Sequence, residues 1–163
     1  MNTLPDLIRT ETWHPLLVHF PLALLLLGAI ALLAGAVFSN VFFEKMGRII
    51  IVLGTFGGGL AILTGNLADS VVSRQICDPT VLEAHETNAY ITGALFTIAS
   101  LLIILDYFGI FYRIRKFLKY TAIILSIAGS GFLIYTGHLG ASLVYQQAAG
   151  VYTPSEDCSE FDD

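Results

Sequence analysis

Charge is scarce in this chain and confined to short islands. Asp, Glu, Lys and Arg make up 13% of its 163 residues, about half of the roughly 25% usual in soluble domains. None occurs from Thr12 to Phe43, from Ile49 to Ala68, from Thr87 to Leu105 or from Tyr120 to Ser155. A water-soluble fold would lack the charge to cover its surface. Basic residues are the scarcer sign, eight against thirteen acidic, and no nucleic-acid partner is expected. Only two cysteines are present and no CxxCH motif, which excludes covalent attachment of a c-type haem. There is no HExxH motif. No basic segment precedes the first apolar run, which is also too long for a signal peptide, so it is expected to remain in the mature protein. No apolar block carries a charge near its centre and no inverted repeat is visible, which argues against a transporter.

What fills the space between the islands is apolar sequence long enough to cross a bilayer, for which about 20 residues suffice. The expected spans are 15–37, 49–68, 88–105 and 120–139. The runs are apolar all the way round the helix, the pattern of membrane spans rather than of amphipathic surface helices. Short connections imply an all-α, up-down-up-down four-helix bundle in a single membrane domain.

An even number of spans puts both termini on one side. Lys45 and Arg48 lie between spans one and two, and Arg113, Arg115, Lys116 and Lys119 between spans three and four. The other side holds only Arg9 and Arg74. The positive-inside rule makes the six-charge face cytoplasmic, which places both termini on the outer, periplasmic side of a bacterial inner membrane. Residues 154–163 form an acidic tail expected to be flexible and solvated. Cys77 and Cys158 share the outer side, where an oxidising compartment permits a disulfide between them.

The second span contains Gly54, Gly57, Gly58, Gly59 and Gly65, and the fourth Gly129, Ser130 and Gly131. Small residues suit close helix packing in lipid or room for a flat cofactor. All four histidines fall at the outer face: His14 and His19 at the start of span one, His85 before span three, His138 at the end of span four. Pro15 suits a first helical turn, which makes His14 the expected N-cap. His19 lies five residues further on, about 140° around a helix, so the two do not naturally grip one ion together. Pro21 removes a backbone hydrogen bond near His19. Asp69 closes the second span at the same level, and Glu86 follows His85. Three readings fit these residues: imidazoles from different helices on a b-type haem, histidines with Asp69 on a transition-metal ion, or interfacial histidines bonded to headgroups, water and helix ends.

The run His14-Pro15-Leu16-Leu17-Val18-His19-Phe20-Pro21 resembles the opening signature of the DUF2231 family of small bacterial membrane proteins. Thr64-Gly65 to Asp69 is similar to that family's second-helix signature, and Thr136-Gly137-His138-Leu139-Gly140 through Tyr145 to its closing motif. The likeness covers residues 14 to about 151. It implies a four-helix membrane domain. Some relatives are joined to cytochrome-type proteins or accompany them, which implies a redox role with haem at the matching His14, His19 and His85. Ala141 stands where the closing pattern has a second glycine, and His138 is the least constant member of that motif.

The leading expectation is a haem b-binding, cytochrome-like electron-transfer protein. It would exchange electrons near the periplasmic face with a quinone or with a periplasmic or membrane redox protein. His19 and His85 are the first choice of axial pair, with His14 and His138 as a second pair or supporting ligands. Asp69 would orient an imidazole or accept a proton. The rivals are a non-catalytic accessory or scaffold subunit of a larger complex, a homo-oligomer included, and a protein binding a transition-metal ion. The orientation is directly testable. In cells carrying the Cys158→Ser protein, Cys77 is expected to react with a membrane-impermeant maleimide from outside. A cysteine at Lys116 is expected to react only after the membrane is opened; the reverse pattern would place the termini inside.

Overall fold

The computed structural model describes residues 9–151 and is built from four long helices: α1 (Thr10–Val37), α2 (Val41–Val72), α3 (Pro79–Tyr107) and α4 (Arg115–Gln147), with a 3-10 turn at Tyr112–Ile114 before α4. Each is long and apolar enough to cross a membrane. With 28 to 33 residues and a rise of about 1.5 Å per residue they run about 42–50 Å, longer than the roughly 30 Å hydrocarbon layer. α2 and α3 extend past their charge-free blocks at both ends, and α1 and α4 begin before theirs, because helix formation depends on backbone hydrogen bonds and not on hydropathy. This is why His14 is not an N-cap. The N-cap is Arg9, and α1 begins at Thr10, so Pro15 lies within the helix.

Local chemistry fixes where the chain turns. Ser39 (φ 49°) reverses it after α1. The Asn40 side chain then accepts the Phe42 and Phe43 N–H groups at 2.9 and 3.3 Å and starts α2. Asp78 does the same for α3, taking the Thr80 N–H at 2.9 Å ahead of Pro79. These caps occupy orphan donors that a helix start would otherwise leave open.

Packing separates the bundle into two hairpins. α1 lies tightly on α2 and α3 on α4, whereas the seam between the pairs is looser. Small residues set the closeness. A Cβ on Gly47 would sit 2.7 Å from the Leu32 backbone nitrogen, and one on Gly35 would sit 2.6 Å from that of Glu44, so neither position admits a side chain. Gly54 lies against Leu25 and Gly129 against Phe96, the packing use of glycine. Gly59 and Gly131 meet nothing. Large side chains such as Leu27, Ile30, Phe56 and Ile134 point outward, the arrangement lipid favours. Leu25, Leu32, Ile51, Phe96 and Ile103 fill the centre. Midway along, Thr55 and Ser100 share a hydrogen bond of 2.8 Å across the seam, whereas Ser126 and Ser130 bond carbonyls of their own helix.

The end of the bundle opposite the histidines is held by charge. Arg48 Nη1 and Arg115 Nε reach the two oxygens of Asp106 at 2.5 and 2.9 Å. Glu44 accepts from Arg48 and from Lys119, both at 2.7 Å. The network joins α2, α3 and α4, and the Asp106 side chain is only 2% exposed. Removing one partner of a buried pair strands the others. Asp106→Ala is expected to cost about 3 kcal/mol or more, the usual range for a broken buried pair. Lys119→Ala, at a partly exposed position, is expected to cost under about 1 kcal/mol. Reversible unfolding in mixed micelles measures both.

Candidate functional site

At the other end two of the four histidines meet. α1 carries His14 and α3 carries His85, and their ring centres are 6.2 Å apart with the planes at 86°. Both rings are half-buried. His14 Nδ1 lies 2.9 Å from the Ala61 carbonyl oxygen of α2. His85 Nδ1 lies 3.0 Å from that of Thr136 on α4. A carbonyl only accepts, so Nδ1 carries the proton in each ring. In a neutral imidazole that leaves Nε2 with a free lone pair. A ligating histidine typically shows this pattern: the outer nitrogen donates to a carbonyl, which fixes the tautomer and the ring orientation.

The remaining histidines stand apart from the pair. His19 is exposed on α1 and its Nδ1 bonds the Pro15 carbonyl one turn back, at 2.6 Å. His138 is exposed on α4, and its carbonyl accepts the Ser142 hydroxyl at 3.2 Å. Asp69 is half-buried on α2 and lies in electrostatic range of Glu86 on α3. The two paired imidazoles are oriented by backbone carbonyls and not by Asp69. Tyr90 donates to Asn66 Oδ1 at 3.0 Å and bridges α2 and α3 on the same side. Cys77 is exposed in the α2–α3 loop. Cys158 and the acidic tail lie outside the described residues.

The carbonyls of Ala61 and Thr136 were not foreseen from the sequence, because a backbone acceptor has no residue-type signature. The pairing of His14 with His85 was equally hidden, since it depends on how α1 and α3 face each other across the bundle. Among the described residues, no three His, Cys, Asp or Glu side chains gather in a group able to hold a metal ion. The site brings together two imidazoles whose Nδ1 atoms are engaged by carbonyls.

The model of a family described as "Predicted membrane protein (DUF2231)" matches residues 10–153. No curated protein and no solved structure matches the chain.

The different settings of the histidines separate their effects on stability. In haem-free protein, His14→Ala and His85→Ala each remove an interhelical hydrogen bond, while the Ala61 carbonyl keeps the Thr64 hydroxyl and both carbonyls keep the bonds of their own helices. Each is expected to cost about 0.5–1.5 kcal/mol in micellar unfolding. His19→Ala and His138→Ala are expected to stay within about 0.5 kcal/mol of the parent.

Proposed function

The chain belongs to the DUF2231 family of predicted membrane proteins, and on that premise we propose that it is a multi-pass membrane cytochrome in which His14 and His85 would hold one b-type haem. The observation that carries this reading is the pair itself: two imidazoles on opposite hairpins, each with Nδ1 engaged and Nε2 available. Their 6.2 Å separation suits one shared metal.

The donor count favours haem over a bare ion. Two protein nitrogens are too few for a closed structural or catalytic site of the zinc type, which takes three or four protein ligands. They are the complement a porphyrin needs, because the macrocycle brings its own four nitrogens and leaves two axial positions. The rings also meet edge-on across the looser seam of the bundle, where parting the hairpins disturbs least packing.

Such a haem, when bound, supplies one-electron transfer at a potential set by its ligands and surroundings. The protein's part is to hold and tune. The Ala61 and Thr136 carbonyls accept from Nδ1, which raises the basicity of Nε2 and favours the more oxidised metal. Half-burial at the helix ends keeps bulk water off the rings while leaving the pair near the membrane surface. By the charge pattern that surface is the periplasmic one of a bacterial cytoplasmic membrane. Electrons would pass there to or from a quinone in the bilayer or a redox protein outside it.

Absorbance spectra of protein purified from haem-replete cells test the reading. A low-spin Soret band is expected, lost in His14→Ala and in His85→Ala and kept in His19→Ala and His138→Ala. A protein without a Soret band that stays folded would make the histidines interhelical locks in an accessory or scaffold subunit. Metal analysis showing a stoichiometric ion without haem would assign the pair to that ion instead.

A further inference from the structure

The two hairpins repeat one another. Six buried residues of α1, namely Pro21, Leu25, Gly28, Ala29, Leu32 and Gly35, each have a buried counterpart 71 positions later, the step from His14 to His85. Those counterparts, from Thr92 to Asp106, are all the buried residues of α3. α2 and α4 match at a step of 75, that from Gly65 to Gly140: Gly54 falls on Gly129, Ala61 on Thr136 and Ala68 on Leu143, all buried. The contacts repeat with the positions. Gly54 receives Leu25 and Gly129 receives Phe96, and those two side chains are themselves 71 apart. Thr55 and Ser130, again 75 apart, each bond the carbonyl four residues back.

Equivalent residues in two copies related by a twofold axis touch one another only near that axis. Two such contacts occur. His14 meets His85 at one end of the bundle, and Glu44 meets Lys119 at the other. The axis therefore runs along the bundle, and the histidine pair lies on it. Repeats of this parallel kind turn about the membrane normal.

The repeat also shows what seats the two rings. Gly65 is one helical turn beyond the Ala61 carbonyl, and Gly140 is one turn beyond that of Thr136. A Cβ on Gly65 would lie 3.3 Å from His14 Cε1 and Nδ1, and one on Gly140 would lie 3.1 Å from His85 Cε1. Each imidazole thus lies in a notch that a methyl group would narrow, with its Nδ1–Cε1 edge against the partner helix of its own hairpin.

We infer that the chain is two copies of one helical hairpin, and that Gly65 and Gly140 are equivalent positioning residues that seat His14 and His85 against the Ala61 and Thr136 carbonyls. The seating fixes the Nδ1–H tautomer in both rings and leaves both Nε2 lone pairs outside the bonds that orient the rings. The metal-ligating use of those lone pairs rests on the haem reading above; the hairpin repeat and the seating do not.

Nitrogen-15 NMR of histidine-labelled, haem-free protein in micelles tests the seating by itself, with the lines assigned by His14→Ala and His85→Ala. Both rings are expected in the Nδ1–H form with an unprotonated Nε2. Gly65→Ala is expected to shift only the His14 lines and Gly140→Ala only the His85 lines, by comparable amounts. Gly59→Ala and Gly131→Ala, where a methyl group meets open space, should shift neither. Alanine favours a helix interior over glycine, so a lost signal is not an unfolded helix. In protein loaded with haem, Gly65→Ala and Gly140→Ala are each expected to displace the low-spin electron paramagnetic resonance signal and to weaken haem retention by about tenfold, the lower end for a disturbed ligand support. An Nε2–H tautomer in either ring of the parent protein would overturn the inference even where a Soret band is present. So would one alanine variant moving its ring while the other does not. Absence of the Soret band alone would remove the haem reading and leave the seating standing on the NMR result.

Discussion

The close approach of α1 to α2, and of α3 to α4, is the constraint on which the rest of this bundle depends. In hydrocarbon there is no hydrophobic gain from pressing two apolar helices together, so association rests on contact and on hydrogen bonds that only short distances allow. Gly35 and Gly47 leave no room for a Cβ between the backbones. Once the axes are that close, a side chain from one helix can reach a main-chain carbonyl of the next. His14 does so at Ala61, and His85 at Thr136. With larger residues at the crossings, the same imidazoles would have no interhelical acceptor.

Polar groups are concentrated at the two ends of the bundle, with the Thr55–Ser100 bond between them. One end holds the Glu44–Arg48–Asp106–Arg115–Lys119 network, which joins the hairpins by charge. The other end holds two neutral rings, each satisfied within its own hairpin and facing the other across the seam. The asymmetry is physically sensible. A buried ion network tolerates little movement because separating its partners strands charge.

Distant stretches of the sequence meet at the histidine pair: Gly65 lies against His14 and Gly140 against His85, and the two rings lie against each other. The sequence reading grouped all four histidines by membrane level, which they share, and favoured His19 as a partner for His85. The helix turns His19 outward, to its own Pro15 carbonyl, and turns His14 inward. That difference of about 140° around the helix was computable from the spacing. Which of the two directions was the interior was not, because both flanks of α1 are equally apolar.

Length and uniformity of the apolar blocks determined that four helices cross a membrane, since that follows from chain chemistry against the thickness and dielectric of lipid. Composition likewise determined that the packing surfaces would be small residues. Tertiary structure alone decided which histidines meet, which carbonyls hold them, and that the chain is a repeated hairpin. The repeat was hard to see because many of its paired positions differ in residue type, Leu25 with Phe96, Pro21 with Thr92 and Glu44 with Lys119, and the identities between them, such as His14 with His85 and Gly65 with Gly140, are isolated. A lipid-facing helix has no polar face to mark its interior, so its rotation is set by the steric fit of its neighbours, and that fit exists only once the helices are side by side.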